Sequence, residues 1–89
     1  MVRICDLRYE MELCGGAKND IWRLVGEVED HPNFPPGDTV KPSVPVSFDR
    51  ENLVFKTHSG REYLIVSYKD SSVLDQIEKD VLVGNYERH

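Results

Sequence analysis

All five prolines of this chain lie between positions 32 and 45, and they limit what the middle of the chain can fold into. A proline has no backbone N–H donor, so it cannot take part in the hydrogen-bond ladder of a central strand. Residues 31–38 are therefore predicted to form a loop. Residues 44–48 are predicted to form a strand at the edge of a sheet, because Pro45 lies inside it.

The segments on either side of this loop alternate apolar and polar side chains, which is typical of strands with one buried face. Residues 2–13 are compatible with one or two edge strands, and residues 21–28 with a half-buried strand. Gly26 within that second strand indicates a bulge or a close backbone approach. The remaining strands are predicted at residues 44–48, 53–57 and 62–68, with short turns at 49–52 and 58–61.

Three consecutive strands joined by short turns form a meander, and in a small chain a meander is expected to curl into a partial barrel. Apolar residues at helical spacing then predict one helix, which begins near Asp70 and ends near Gly84. The predicted fold is thus mainly β (α+β), a small antiparallel meander or partial barrel with one C-terminal helix. The predicted core consists of Trp22, Leu24, Val28, Val46, Phe48, Leu53, Phe55, Leu64 and Val66, with Val73, Leu74, Ile77 and Val81 from the helix.

Length and charge restrict the classes of partner. A chain of 89 residues is predicted to form a single domain, with its core within residues 21–82 and a flexible tail at 83–89. The net charge of −5 disfavours an extended nucleic acid or an anionic membrane. No apolar run approaches the roughly 20 residues of a membrane span, and the start lacks signal-peptide features. The sequence therefore predicts a cytoplasmic protein, and its small size makes a homodimer or higher oligomer plausible.

The Pro-rich loop holds the first candidate site residues, Asn33 and Phe34. An exposed Phe ring can stack on a nucleobase, and an Asn amide can both donate and accept hydrogen bonds. The alternative interpretation is structural, with Phe34 packing as a plug in the end of the barrel. Both interpretations fit the residues equally well.

A nucleotide would also need groups that bind phosphate. The cationic candidates are Lys41, Lys56 and Arg61, of which Arg61 can place two N–H groups on phosphate oxygens. Thr57 and Ser59 add hydroxyl donors. An acidic face offers a different function, in which the chain binds a basic host protein. That face is predicted to include Asp49, Glu51, Asp70, Asp75, Glu78 and Asp80.

No catalytic or metal-binding pattern is evident. Ser59 follows His58 directly, and adjacent residues in a tight turn point apart, which does not suit a nucleophile and its base. Cys5 and Cys14 match no zinc or redox spacing. The sequence therefore predicts no catalytic residue, no metal and no cofactor, and the chain is predicted not to be an enzyme.

A longer pattern extends across the middle of the chain. It combines a tryptophan-bearing strand at 22–28, a His-Pro-x-Phe loop at 31–34 followed by Gly37, and a Thr-x-Ser-x-x-x-Tyr element at 57–63. In this pattern the chain is similar to the Thoeris anti-defence proteins, small phage and prophage proteins that sequester cyclic ADP-ribose-type signals and some cyclic oligonucleotides. The resemblance implies a β-rich oligomer with a pocket near a subunit boundary that binds its ligand without turnover. It implies ligand contacts by Phe34, with Asn33, Thr57, Ser59, Arg61 and Tyr63 nearby.

Overall fold

The computed structural model describes residues 1–12 and 21–87 of the chain, which form six β-strands and one C-terminal helix. The mainly β architecture and the single helix at its end confirm the predicted fold class. The elements are β1 (Val2–Glu12), β2 (Ile21–Val28), β3 (Thr39–Val40), β4 (Pro45–Asp49), β5 (Val54–Thr57), β6 (Glu62–Ile65) and α1 (Ser71–Glu87).

The six strands belong to one mixed sheet with the order β3-β2-β1-β6-β5-β4. Strands β4, β5 and β6 form the predicted antiparallel meander, and β4 lies at an edge as Pro45 requires. The prediction that residues 2–13 form edge strands is wrong, because β1 pairs with β2 on one side and in parallel with β6 on the other. Alternating side chains reveal a strand with one buried face, but they do not reveal how many neighbours it has.

The sheet is open and does not close into a barrel, since β3 and β4 form its two edges. These two edge strands are nevertheless consecutive in the chain and are joined by residues 41–44 alone. A link of this length spans at most about 18 Å, so the two edges must lie close together and the sheet must curl. The Val44 carbonyl in this link accepts a hydrogen bond from the His58 N–H at 2.8 Å, which holds the link against the turn between β5 and β6.

The core lies between the concave face of this sheet and α1, which packs mainly against β4 and also contacts β1. Trp22 and Val66 were predicted in the core, but they are 63% and 51% exposed. Trp22 lies on the inward face of β2 beyond the last core residue of that strand, and Val66 follows the end of β6. The buried cluster consists of Val2, Ile4, Leu7, Leu24, Val28, Val40, Phe55, Tyr63, Ile65, Val73, Leu74 and Ile77, with Tyr9, Phe48, Leu53 and Val81 packed against it.

The close approach predicted at Gly26 is present. The pairing of β1 with β2 shifts by one residue between Cys5 and Arg8, so Gly26 lies opposite a β-bulge in β1. A Cβ atom at position 26 would lie 2.6 Å from Cγ1 of Ile4 and 2.7 Å from its Cδ1. Ile4 is fully buried, so its side chain has little space into which it could move.

We expect the Gly26→Ala substitution to lower the free energy of unfolding by about 1–3 kcal/mol, the usual cost of adding a methyl group to a packed core. Urea unfolding followed by circular dichroism measures this change. Ile4→Ala removes the two atoms that the new methyl group would meet, so the double variant should be less destabilised than the sum of the two single changes. Strict additivity of the two substitutions would contradict the proposed clash.

The helix begins as the sequence predicts and ends later. The Asp70 carboxylate accepts a hydrogen bond from the Ser72 N–H at 2.9 Å, which is the geometry of an N-cap, and this bonding lowers the pKa of Asp70. The predicted end at Gly84 is wrong, since α1 continues to Glu87. One glycine costs a helix only about 1 kcal/mol relative to alanine, so it does not end a helix by itself. No helix in the described part of the chain has the length and apolar composition that crossing a membrane requires.

Candidate functional site

The Pro-rich loop returns to the strand from which it leaves. The Val28 N–H at the end of β2 donates to the Asp38 carbonyl at 3.0 Å, and the Val28 carbonyl accepts from the Gly37 N–H at 2.8 Å. Gly37 has a φ of 89°, a conformation that favours glycine. These two hydrogen bonds hold the C-terminal end of the loop beside the end of β2, and the prolines before it reduce the number of conformations that the loop can adopt.

His31 organises the outer part of this loop. Its Nδ1 atom accepts a hydrogen bond from the Asn33 N–H at 3.0 Å, and its ring meets the Phe34 ring edge to face, with 4.7 Å between the centroids. Nδ1 can accept only when it carries no proton, so the geometry favours the neutral imidazole. Burial and the positive charge of Arg61 both lower the pKa of His31, which favours the same form.

Phe34 itself is 43% exposed and does not belong to the buried cluster. The structural alternative, in which Phe34 plugs the end of the barrel, is therefore wrong. The loop instead holds the ring at the surface, supported by His31 on one edge. A half-exposed aromatic ring on a constrained loop is free to contact a ligand.

One cavity of about 480 Å³ brings most of the predicted site residues together. We call this open depression of the surface the loop cavity. It includes Asn33 and Phe34 from the loop, Lys41 from the link between β3 and β4, and Ser59, Arg61 and Tyr63 from the β5–β6 hairpin. Its complete lining is His31, Asn33, Phe34, Thr39, Val40, Lys41, Pro42, Ser43, Ser59, Arg61 and Tyr63.

A second cavity of about 700 Å³ adjoins the loop cavity and shares Ser59 and Arg61 with it. We call it the acidic cavity, because Asp30 and Glu62 also line it. Arg61 thus lies at the boundary of the two cavities. Among the side chains that the structure describes, no carboxylate lies within 4.0 Å of the Arg61 guanidinium.

Arg61 reaches this position through the tight turn between β5 and β6. The Thr57 N–H donates to the Arg61 carbonyl at 2.9 Å, and the Gly60 N–H donates to the Thr57 carbonyl at 2.9 Å. Gly60 has a φ of 92°, a conformation that favours glycine, within the turn predicted at residues 58–61. The turn therefore fixes the backbone of Arg61 and leaves its side chain at the cavity boundary.

The two predicted hydroxyl donors, Thr57 and Ser59, do not face the loop cavity side by side but bond to each other. Thr57 is 1% exposed, and its Oγ1 lies 2.9 Å from Oγ of Ser59 and 3.3 Å from the Arg61 carbonyl oxygen. The Ser43 hydroxyl donates to Ser59 Oγ at 3.1 Å. These contacts connect the β3–β4 link to the turn below the cavity, so Thr57 supports the site from beneath.

Lys56 is the predicted residue that the structure places elsewhere. It lines a different cavity with Phe48 and Asp49, and it lies opposite Glu62 in the pairing of β5 with β6. Sequence reasoning missed His31 and Ser43 as members of the loop cavity. His31 belongs to the same His-Pro-x-Phe loop and could have been found there, whereas nothing in the sequence connects Ser43 with Ser59.

The described residues contain no group of three or more His, Cys, Asp or Glu side chains that could hold a metal ion. The Ser59 hydroxyl has the hydroxyls of Ser43 and Thr57 as partners, and neither group is a general base. Cys14 lies outside the described residues.

The arrangement of an exposed ring, a guanidinium and a lysine around one cavity suits the binding of an anion. The function must be argued from this site, because no protein-family model, curated protein or solved structure matches the chain.

Proposed function

We propose that this chain is a phage or prophage accessory protein that binds and sequesters a small cyclic nucleotide-type signal without converting it. The observation that carries this proposal is the shared cavity of Phe34 and Arg61. Phe34 offers an exposed aromatic face and the half-buried Arg61 offers a guanidinium, and a nucleotide presents a flat base and an anionic phosphate.

Phe34 would provide the stacking surface. Stacking of one base on an aromatic side chain contributes about 1–3 kcal/mol, and it tolerates different bases because each has a π face. The ring is already held by the loop and by His31, so little conformational entropy is lost on binding. Asn33 lies beside it in the same cavity and could bind a base edge or a ribose hydroxyl through its amide.

Arg61 and Lys41 would bind the phosphate. Both line the loop cavity, and the Arg61 guanidinium can donate two parallel hydrogen bonds to phosphate oxygens. The protein as a whole carries a net charge of −5 and repels phosphates at long range. A local pair of cations therefore suits a compact nucleotide better than an extended nucleic acid strand.

The alternative function, an acidic face that binds a basic host protein, has less support. Arg50 donates hydrogen bonds to Asp75 and Glu78 at 2.8 and 3.0 Å, so part of the negative charge is neutralised within the protein. Asp80 accepts hydrogen bonds from Tyr9 and from Gln76. Asp49 accepts a hydrogen bond from the Asn52 amide, and Asp70 accepts one from the Ser72 hydroxyl. Five of the six predicted acidic residues are therefore already bonded to other side chains of the protein.

Thermal unfolding against a panel of cyclic ADP-ribose isomers and cyclic di- and trinucleotides tests the proposal. A ligand that binds only the folded state raises the melting temperature in a saturable manner. We expect such a rise for at least one compound, and Phe34→Ala should weaken that affinity by about 5- to 150-fold, as expected for the loss of one stacked base.

Phe34→Leu and Phe34→Tyr serve as matched controls for this variant. Leucine keeps an apolar side chain but has no π face, whereas tyrosine keeps the ring. If the base stacks on the ring, the leucine variant should have the low ligand affinity of the alanine variant. The tyrosine variant should have the ligand affinity of the unmodified protein. A flat melting response to every compound would reject the nucleotide function and favour the host-protein alternative.

A further inference from the structure

The acidic cavity limits how much negative charge a ligand bound at Arg61 can carry. Asp30 and Glu62 line this cavity together with Arg61, while Lys41 lines the loop cavity on the other side. A phosphate held at Arg61 would therefore lie at the boundary between a region with a further cation and a region with two carboxylates.

The two carboxylates differ in how much of their charge is neutralised. Asp30 accepts a hydrogen bond from the Arg3 Nε at 2.8 Å and forms an ion pair with it. Glu62 forms no ion pair with any side chain in the described part of the chain, and it is exposed at the start of β6. Lys56 lies opposite Glu62 in the pairing of β5 with β6, but the two side chains form no ion pair, so Glu62 is the less neutralised of the two carboxylates.

Further phosphates of a linear polyphosphate would have to extend from Arg61 along the boundary. In the proposed mode the base lies at Phe34 and the first phosphate lies between Lys41 and Arg61 in the loop cavity, so the further phosphates would extend past Arg61 into the acidic cavity. Repulsion between like charges a few ångströms apart amounts to about 1 kcal/mol even in water and increases where water is partly excluded.

We propose that Glu62, assisted by Asp30, is a specificity-determining residue that selects phosphodiester nucleotides of low charge and rejects nucleoside triphosphates. This inference rests on the proposed function, since it assigns the ligand class of the same site. The selection acts by repulsion of the wrong ligand, a common means of obtaining specificity without a gain in affinity for the right one.

Calorimetric titration with 3′,5′-cyclic AMP, cyclic di-AMP and ATP tests this inference, because these probes share a base and differ in charge. We expect the tighter of the two cyclic probes to bind at least about tenfold more tightly than ATP. Glu62→Gln should strengthen ATP binding about fivefold or more and leave the cyclic probe within about twofold. High salt should lower the ratio of the affinities for the cyclic probe and ATP, as Glu62→Gln does, because salt screens exposed charges.

Glu51→Gln is the matched control. It removes the same charge from an exposed position in the turn between β4 and β5. This turn and the turn that holds Arg61 lie at opposite ends of β5. The two turns are separated by the four residues of β5, which span about 13 Å, and this length exceeds the screening length of about 8–10 Å at physiological salt. The control should therefore leave all three affinities unchanged. The melting temperature without ligand, measured for both variants, shows that each remains folded.

The outcomes separate the two proposals. Equal binding of ATP and the cyclic probes, with no change in Glu62→Gln, would overturn the selection by charge and leave nucleotide binding in place. A change of the same size in Glu51→Gln would also overturn it, because the effect would then be one of net charge. Absence of binding by all three probes would overturn the selection and count against the proposed function itself.

Discussion

The Phe55→Ala variant is expected to lose a large part of the stability of the fold. Phe55 is fully buried in the middle of β5, and its ring stacks on Tyr63 of β6 with 5.1 Å between the centroids. Truncation of a buried phenylalanine to alanine costs about 3–5 kcal/mol, because a cavity remains where the ring was. A domain of this size has about 5–13 kcal/mol of stability in total. Urea unfolding followed by circular dichroism measures the loss.

Phe34→Ala makes the same chemical change at an exposed position and is the control for this result. We expect its free energy of unfolding to stay within about 0.5 kcal/mol of that of the unmodified protein. Phe55→Leu restores part of the volume without the ring and should lie between the two. Equal midpoints for Phe55→Ala and Phe34→Ala would contradict the central position of Phe55 in the core.

The Arg61→Ala variant is expected to lose the proposed nucleotide binding while it keeps its fold. A hydrogen bond between a guanidinium and an anion contributes about 1.5–3 kcal/mol, so the affinity should fall about 10- to 150-fold. The turn that holds Arg61 uses only its backbone carbonyl, which alanine retains. The melting temperature without ligand should therefore change little, and the ligand-induced rise should disappear.

Lys56→Ala is the matched control, because it removes a cation from the same hairpin at a position outside the loop cavity. Its ligand-induced rise in melting temperature should equal that of the unmodified protein. Arg61→Lys adds a second test, since lysine keeps the charge and cannot place two parallel N–H groups on one phosphate. An equal loss in Lys56→Ala and Arg61→Ala would show that the ligand responds to net charge and not to this site.

The candidate site shows how far local sequence signals extend. The Pro-rich loop, the turn at Gly60 and the exposed Phe34 depend on residues close in sequence, and the structure has all three. The joining of this loop to the β5–β6 hairpin in one cavity depends on the curl of the sheet. The different positions of Lys56 and Arg61 follow from the register of β5 and β6, which no local pattern specifies.

The sequence by itself determined the local elements of this protein. Proline positions excluded a central strand between residues 32 and 45, Gly26 marked a close approach, and Asp70 marked the start of the helix, because each effect acts within a few residues. Only the tertiary structure decided that β1 is central, that Trp22 is exposed, and that Ser43 meets Ser59. These features depend on which strands become neighbours, and that choice is made by the packing of the whole sheet against the helix.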